Sequence, residues 1–345
     1  MTAKKRTTQM HLNEFVYDLP QELIAQYPLK KRDQARLMVI DRQKQTIVHD
    51  IFANIGRHLP PKTCIVRNDS KVIAARLFGY REKSAGRVEV FLLKRLSDGC
   101  SYEALIRPLN KLKANEKIRF NGGCFTAELI DKERRIVRFN PKDISPLLEQ
   151  CGHVPLPPYI KRPDESVDRR YYQTVYARHP GSVASPPAGL HFTRGLLRDL
   201  KKDSHSIINV TLHVNHATFR PVKDEDITKH TMHHEDYAVS PKAQKIITEA
   251  QGGGSPIVAI GTTSCRVLET MAQEGAFAGS TNIFIYPGYQ FRMADILVTN
   301  FHLPRSTLLM LVYAFGGTAL MKRAYEEAIK SRYRFYSYGD AMVIL

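Results

Sequence analysis

The sequence predicts an α/β protein: a mixed-sheet α/β domain interrupted by a small inserted β-barrel. Three observations carry that expectation. Short apolar runs of strand length occur early in the chain, and strands alternate with amphipathic helices after Cys151. Between them, from Arg76 to Phe139, one strand-like segment follows another with turn residues in the gaps. That middle stretch also differs in charge, with 15 Lys or Arg against 8 Asp or Glu in 64 residues. The expected division is a discontinuous α/β domain, residues 1–75 and 152–345, and a basic β-barrel insert, residues 76–151.

Taken in order, Arg36 to Asp41 (Arg-Leu-Met-Val-Ile-Asp) and Thr63 to Arg67 read as buried strands. In the insert, strands are expected at Arg87 to Leu93, Tyr102 to Ile106, Lys117 to Phe120, Phe125 to Ile130 and Arg135 to Phe139. Ser97-Asp-Gly and Asn121-Gly-Gly supply the turns between them. Beyond Cys151, helical spacing marks Gly195 to Lys202, Pro241 to Gln251, Ser264 to Gln273, Ser306 to Phe315 and Leu320 to Arg332. Strands are expected at Ser206 to Val214, Pro256 to Ile260 and Asn282 to Ile285. Gly252-Gly-Gly separates a helix from the strand after it.

The 345 residues are 43% hydrophobic and 25% charged, close to the globular average and enough to bury a core without disulfide or metal staples. The most apolar run, Ser306 to Phe315, is about half the roughly 20 residues a spanning helix needs. Met1 to Thr8 is basic, and the segment after it contains Glu14 and Asp18, so no signal peptide is expected and the chain is placed in the cytoplasm. Five cysteines, with no Cys-x-x-Cys pair, point to buried or incidental thiols. The formal charge of +17 raises the local concentration of polyanions, which makes nucleic acid the first partner to consider.

Five segments carry more polar and special residues than ordinary loops. Pro256 to Glu269 runs from a buried strand through Gly261-Thr-Thr-Ser into a helix. Thr262, Thr263 or Ser264 can cap that helix, whose free N–H groups attract an anion. The Gly-x-x-x-x-Gly-Lys pattern of a phosphate loop is absent. Gly181 to Phe192 ends in Ser-Pro-Pro-Ala-Gly-Leu-His-Phe, a stiff turn presenting His191. Thr211 to Pro221 places His213 late in a strand; Val298 to Thr307 contains His302; Tyr333 to Met342 contains Asp340. Loops at strand ends of open α/β sheets are where ligands bind. His230, His233 and His234 invite a zinc hydrolase reading, but their His-x-x-His-His spacing is not the helical His-Glu-x-x-His of such enzymes, and no metal is expected.

Together these segments resemble the S-adenosylmethionine:tRNA ribosyltransferase-isomerases of queuosine biosynthesis. The likeness runs from Asp18-Leu-Pro-Gln-Glu-Leu-Ile-Ala-Gln-Tyr-Pro to Tyr338-Gly-Asp-Ala-Met. Between them lie Gly152-His-Val-Pro-Leu-Pro-Pro-Tyr-Ile-Lys-Arg-Pro, Tyr172-Gln-Thr-Val-Tyr-Ala, Ala188-Gly-Leu-His-Phe, Ala259-Ile-Gly-Thr-Thr-Ser, Ile285-Tyr-Pro-Gly-Tyr and Thr299-Asn-Phe-His-Leu-Pro. The resemblance implies two substrates, S-adenosylmethionine and a tRNA carrying 7-aminomethyl-7-deazaguanine at the wobble position. The ribosyl part of the first would pass to the aminomethyl group of the second. The products would be epoxyqueuosine-tRNA, adenine and methionine, with no cofactor beyond the substrates and one chain acting as a monomer.

That chemistry assigns expected roles. A base must take a proton from the carbon beside the sulfonium, and Asp69, His191, His213, His302 and Asp340 are the candidates. Glu269 is a candidate acceptor for the proton of the attacking amine. Gly261, Thr262, Thr263, Ser264 and Arg266 would hold the methionine carboxylate. Arg76 is expected on the same substrate, and Arg107, Lys111, Lys113 and Arg162 on the tRNA.

The chain departs from the family pattern in places. Asn68-Asp-Ser-Lys-Val-Ile-Ala-Ala-Arg-Leu replaces Asn-Asp-Thr-Arg-Val-Ile-Pro-Ala-Arg-Leu, and Lys71 lacks the two-pronged grip of Arg. His213-Val-Asn-His-Ala-Thr-Phe replaces His-Val-Gly-x-Gly-Thr-Phe, and Ser185-Pro-Pro replaces Ala/Thr-Pro-Thr. These changes motivate an alternative, a divergent tRNA-binding paralogue without this activity or with another modified base as substrate.

Overall fold

A computed structural model describes residues 10–215 and 221–345. The basic segment Met1 to Thr8 and the altered positions His216 and Ala217 lie outside the described residues. The strands are β1 (Arg36–Asp41), β2 (Thr46–Ile51), β3 (Cys64–Asn68), β4 (Ser70–Val72), β5 (Arg76–Arg81), β6 (Arg87–Arg95), β7 (Ser101–Arg107), β8 (Lys117–Phe120), β9 (Phe125–Asp131) and β10 (Ile136–Asn140). After them come α1 (Ser145–Cys151), α2 (Ser166–Tyr171), β11 (His179–Ser182), α3 (Arg194–Lys202), β12 (Ser206–Leu212), β13 (Glu235–Ala238), α4 (Pro241–Gly252), β14 (Ile257–Ile260) and α5 (Gly261–Glu274). The chain ends with β15 (Ala278–Thr281), β16 (Ile296–Asn300), α6 (Thr307–Gly316), α7 (Thr318–Lys330) and β17 (Ala341–Ile344).

Nine strands form one mixed sheet in the order β15-β13-β12-β3-β14-β16-β17-β1-β2. Its centre, β12, β3, β14 and β16, is parallel, with Val66 facing both Ile208 and Ala259 in the register. These strands are apolar on both faces because both faces are covered. Met38, Val66, Val210, Ala259 and Leu297 enter one core, with α4 to α7. Leu37, Ile65, Val258, Ile260 and Val298 enter the other, with α3 and the 3-10 turn Phe52–His58. The period-2 alternation of a strand thus separates two apolar layers.

The barrel closes in the order β10-β7-β6-β5-β8-β9, all antiparallel. Its interior is filled by Leu77, Val90, Ile106, Ile118, Phe120, Leu129 and Phe139, and Val183 from outside the barrel joins them. The chain leaves for the barrel through β4 and returns through β11, and these two pair in parallel, Ser70 opposite His179. Both passages of chain therefore meet at the end of β3.

Two expectations are corrected. Asn282 to Ile285 is not a strand; the pairing strand is β15, just before it, which lies beside β13. Ile285 is buried and Phe284 packs on Tyr286 at 5.0 Å, so the apolar pattern there reflects packing without a ladder. Helix α5 begins at Gly261, with Ile260 in the capping position and no side chain capping it. Ser264 Oγ instead donates to the Ile260 carbonyl at 2.8 Å, inside the first turn. A strand passing straight into a helix needs an unusual backbone angle, and Gly261 supplies it with φ +84°.

Candidate active site at the sheet's carboxyl edge

Strand direction decides where the loops go. The carboxyl ends of β12, β3, β14 and β16 share one edge, at Leu212, Asn68, Ile260 and Asn300. β17 and β13 run the other way, so Asp340 and Glu235, at their starts, come to the same edge. Asp69, His213, the Gly261–Ser264 turn, His302 and Asp340 therefore gather there from five separate stretches of chain. The loop 182–191 joins them: Val214 N donates to Ser182 Oγ at 3.0 Å, a methyl on Gly261 would lie 3.6 Å from Ala188 Cβ, and His191 meets Asn300.

The three histidines are not equivalent. His191 Nε2 accepts from Asn300 Nδ2 at 3.2 Å, an orientation fixed because that amide also donates to the Tyr336 carbonyl at 3.0 Å. Its ring stacks on Phe52 at 4.9 Å, and burial pushes its pKa down to about 4. His302 Nε2 lies 2.8 Å from Thr299 Oγ1, and burial pushes its pKa down to about 3. His213 is held below the usual histidine range by burial, and its buried Nδ1 has no hydrogen-bond partner. All three are neutral at pH 7, and His213 alone among them offers a buried ring nitrogen with no partner.

The carboxylates divide similarly. Asp69 is buried, accepts from Thr211 Oγ1 at 2.7 Å and lies 3.8 Å from His179 Nε2. Asp340 accepts the backbone N–H groups of Arg36 and Arg334 at 2.9 and 2.7 Å, and burial raises its pKa; it fastens the start of β17 to β1. Glu269 lies two turns along α5 and accepts four bonds: Tyr289 OH at 3.0 Å, Arg292 N at 2.9 Å, Met293 N at 3.1 Å and Ala294 N at 3.0 Å. Four donors fill a carboxylate's lone pairs, so Glu269 braces the 289–294 loop and has no acceptor left for a substrate amine.

Arg266 sits on α5 and is 3% exposed; it pairs with the buried Glu235, whose other oxygen accepts from Asn215 N at 2.8 Å. Its Nε and Nη2 are buried without partners, as is Thr263 Oγ1, one turn earlier on the same face of the helix. Thr174, Tyr176, Ser185 and Asn300 also keep unpartnered buried oxygens nearby in the fold. Buried polar groups are normally satisfied, so each of these atoms is a candidate for contact with water or a bound group.

The remaining expected residues lie elsewhere. Arg76, Arg107 and Arg162 line one cleft of about 970 Å³ between the barrel and residues 154–164. Arg76 is paired there with Glu89, and Arg162 is held by Asp168 through two bonds of 2.7 and 2.8 Å. Lys111 and Lys113 are exposed on a barrel loop. Among the described residues no three His, Cys, Asp or Glu side chains gather as metal ligands, and His230 pairs with Asp224 at 3.1 Å. Sequence reasoning did not single out Asn300, Glu235, Thr211, Tyr176 or Arg32. Arg32 donates to the carbonyls of Gln173 (2.6 Å) and Leu190 (3.4 Å), holding the His191 turn from outside. Asn300 and Tyr176 stood inside quoted motifs; the partnerships of Glu235 and Thr211 depend on the sheet order, which no local pattern encodes.

The fold and this edge define a two-part protein with a polar, partly unsatisfied site at the carboxyl ends of parallel strands. Comparison with known proteins gives it a family: residues 12–344 match the family of queuosine biosynthesis proteins, and the chain belongs to it. It is 49% identical over 337 residues to the S-adenosylmethionine:tRNA ribosyltransferase-isomerase of Sulfurihydrogenibium sp., covering 97% of this chain and 100% of that one. It is 48% identical over 344 residues to the protein of the same name from Caldanaerobacter subterraneus, with the same coverage. The crystal structure of S-adenosylmethionine tRNA ribosyltransferase from Thermotoga maritima, 38% identical, aligns over 96% of this chain and 100% of that one with a TM-score of 0.56.

Proposed function

We propose that this protein is an S-adenosylmethionine:tRNA ribosyltransferase-isomerase acting on 7-aminomethyl-7-deazaguanine at the wobble position of a tRNA. The observation that carries it is the family match over residues 12–344, and the unpartnered buried atoms Arg266 Nε and Nη2, Thr263 Oγ1 and His213 Nδ1 at the sheet edge offer groups for the substrate. Arg266, already anchored by Glu235, turns its free guanidinium edge to the methionine carboxylate, the geometry in which arginine binds carboxylates best. Thr263 and the uncapped first turn of α5 add donors and the positive end of a helix dipole.

The sulfonium acidifies the 5′ carbon of the ribose. His213 Nδ1, neutral and partnerless, accepts that proton, and the carbanion's electron pair drives the rearrangement that expels adenine. His213 returns that proton to the departing adenine, the neutral amine of the base bonds to a sugar carbon and loses one proton to solvent, and methionine leaves with the electron pair of the 5′ carbon–sulfur bond as a sugar oxygen closes the epoxide. Asp69, fixed by Thr211 beside His179, is placed to balance the charge that forms on His213. The route needs no metal or redox cofactor. Its substrates, a tRNA and S-adenosylmethionine, fit a cytoplasmic protein.

The test is incubation with S-adenosylmethionine and a tRNA bearing that base, reading adenine by chromatography and the tRNA nucleoside by mass spectrometry. Adenine release that depends on the tRNA, with the matching mass gain, is the expected result. Folded protein that releases no adenine overturns the reading.

A further inference from the structure

The basic character of the chain has a second location besides the barrel. A groove of about 1560 Å³ runs between residues 30–33, residues 169–177 and the start of α3, with Lys71 at one end. Lys30, Lys31, Lys71, Arg169, Arg170 and Arg194 line it, all exposed and none in an ion pair with a carboxylate. The single acid in its wall, Asp33, already accepts from Thr193 Oγ1 at 3.1 Å. Tyr171 lies in the same wall with the guanidinium carbons of Arg32 and Arg170 at 4.9 and 5.7 Å from its ring centre. Arg32 and Tyr171 also line the small pocket that contains His191, so the two cavities share a wall.

The barrel looks different at the same level of detail. Arg76, Arg81 and Arg119 are neutralised by its own Glu89, Glu116 and Glu82, and Lys94 by Asp236. A phosphate approaching those four cations must compete with a carboxylate already in place; the barrel's other eleven Lys and Arg stand in no ion pair among the described residues, like the groove cations, so the groove is distinguished by gathering six unpaired cations in one concave wall. Concavity adds to this by focusing the field of like charges.

We infer that the groove, rather than the barrel exterior, is the track for the phosphate backbone of the RNA substrate. The inference rests on the proposed function for the identity of the polyanion. Backbone contacts of this kind position the RNA and carry no sequence information, so their signature is a salt-dependent affinity.

The experiment measures binding of an anticodon stem–loop RNA by fluorescence anisotropy across a salt series, with adenine release from the full tRNA in parallel. The chain with Lys30→Ala, Lys31→Ala and Lys71→Ala is compared with one carrying Arg134→Ala and Arg138→Ala on the barrel exterior. The groove variant is expected to bind at least tenfold more weakly and to lower the slope of log K against log salt by about three, one per cation removed. Its melting temperature and its KM for S-adenosylmethionine are expected to match the parent. Parental affinity and slope in the groove variant, or a larger loss in the barrel variant, overturns the inference. Groove-dependent binding by a protein that releases no adenine sinks the proposed reaction and leaves the groove assignment standing.

Discussion

A methyl group at position 181 would lie 3.1 Å from Nδ1 and Cε1 of His213, and Gly181 has φ +141°, so no other residue fits there without moving that ring. Gly181→Ala is therefore expected to lower kcat by at least about tenfold through misplacement of the proposed base, with a stability loss of roughly 1–3 kcal/mol. Steady-state kinetics beside urea unfolding separate the two effects; unchanged kcat would remove His213 from the mechanism. Because His213 is held below the ordinary histidine value of about 6.5, kcat should be flat near neutrality and fall only on the acid side of it. His191 and His302 give a second pH effect, on stability. Their folded pKa values, about 4 and about 3, lie below the unfolded value, so the unfolded chain takes up protons first as pH falls. The stability these neutral rings contribute is complete above about pH 6.5. It should be lost at about 1.4 kcal/mol per pH unit for each ring between there and the folded pKa. Urea midpoints from pH 7 to pH 4 measure this, and His302→Gln is expected to flatten the decline.

At the scale of elements, Glu269 distinguishes bracing from chemistry. Glu269→Gln replaces an acceptor of four bonds by a group with one acceptor oxygen and two N–H donors facing backbone N–H groups. Broken charge-assisted bonds and a buried mismatch predict a loss of roughly 2–5 kcal/mol by urea unfolding, with kcat reduced only as far as the 289–294 loop loosens. A hundredfold loss of kcat at parental stability would instead make it a proton acceptor. The same helix shows what the sequence could and could not tell. Strand β14, the glycine turn and α5 were legible because apolar runs and Gly261 are local signals. The direction of Arg266 was not, because Glu235 is 31 residues away and reaches it only through the antiparallel placement of β13. Asn282 to Ile285 misled for a related reason: an apolar run reports burial, and whether a neighbouring strand is there to bond is a tertiary fact. Net charge pointed to the barrel, and which of its cations are paired with acids, Arg76, Arg81 and Arg119 among them, became visible only in three dimensions.

For the whole molecule, the two proposed binding modes differ in how solvent reaches them. The groove cations are exposed and face solvent over a wide opening, so mobile ions compete with phosphate there and screening is strong. Arg266 and Thr263 are 3% and 6% exposed, and a carboxylate bound between them would be shielded from salt by the protein around it. A formal charge of +17 also steers RNA toward the molecule before contact, an effect that fades with ionic strength. Raising monovalent salt from about 50 to about 200 mM is therefore expected to cut kcat/KM for tRNA steeply, by about 10³-fold for six phosphate contacts. Over the same range KM for S-adenosylmethionine, measured at saturating tRNA, should change by no more than about twofold, because a buried pair is screened far less than an exposed one. The contrast is what makes the experiment informative. Equal salt sensitivity of both substrates would mean that the small substrate also meets its cation at the surface, and Arg266 would then lose its place in the site.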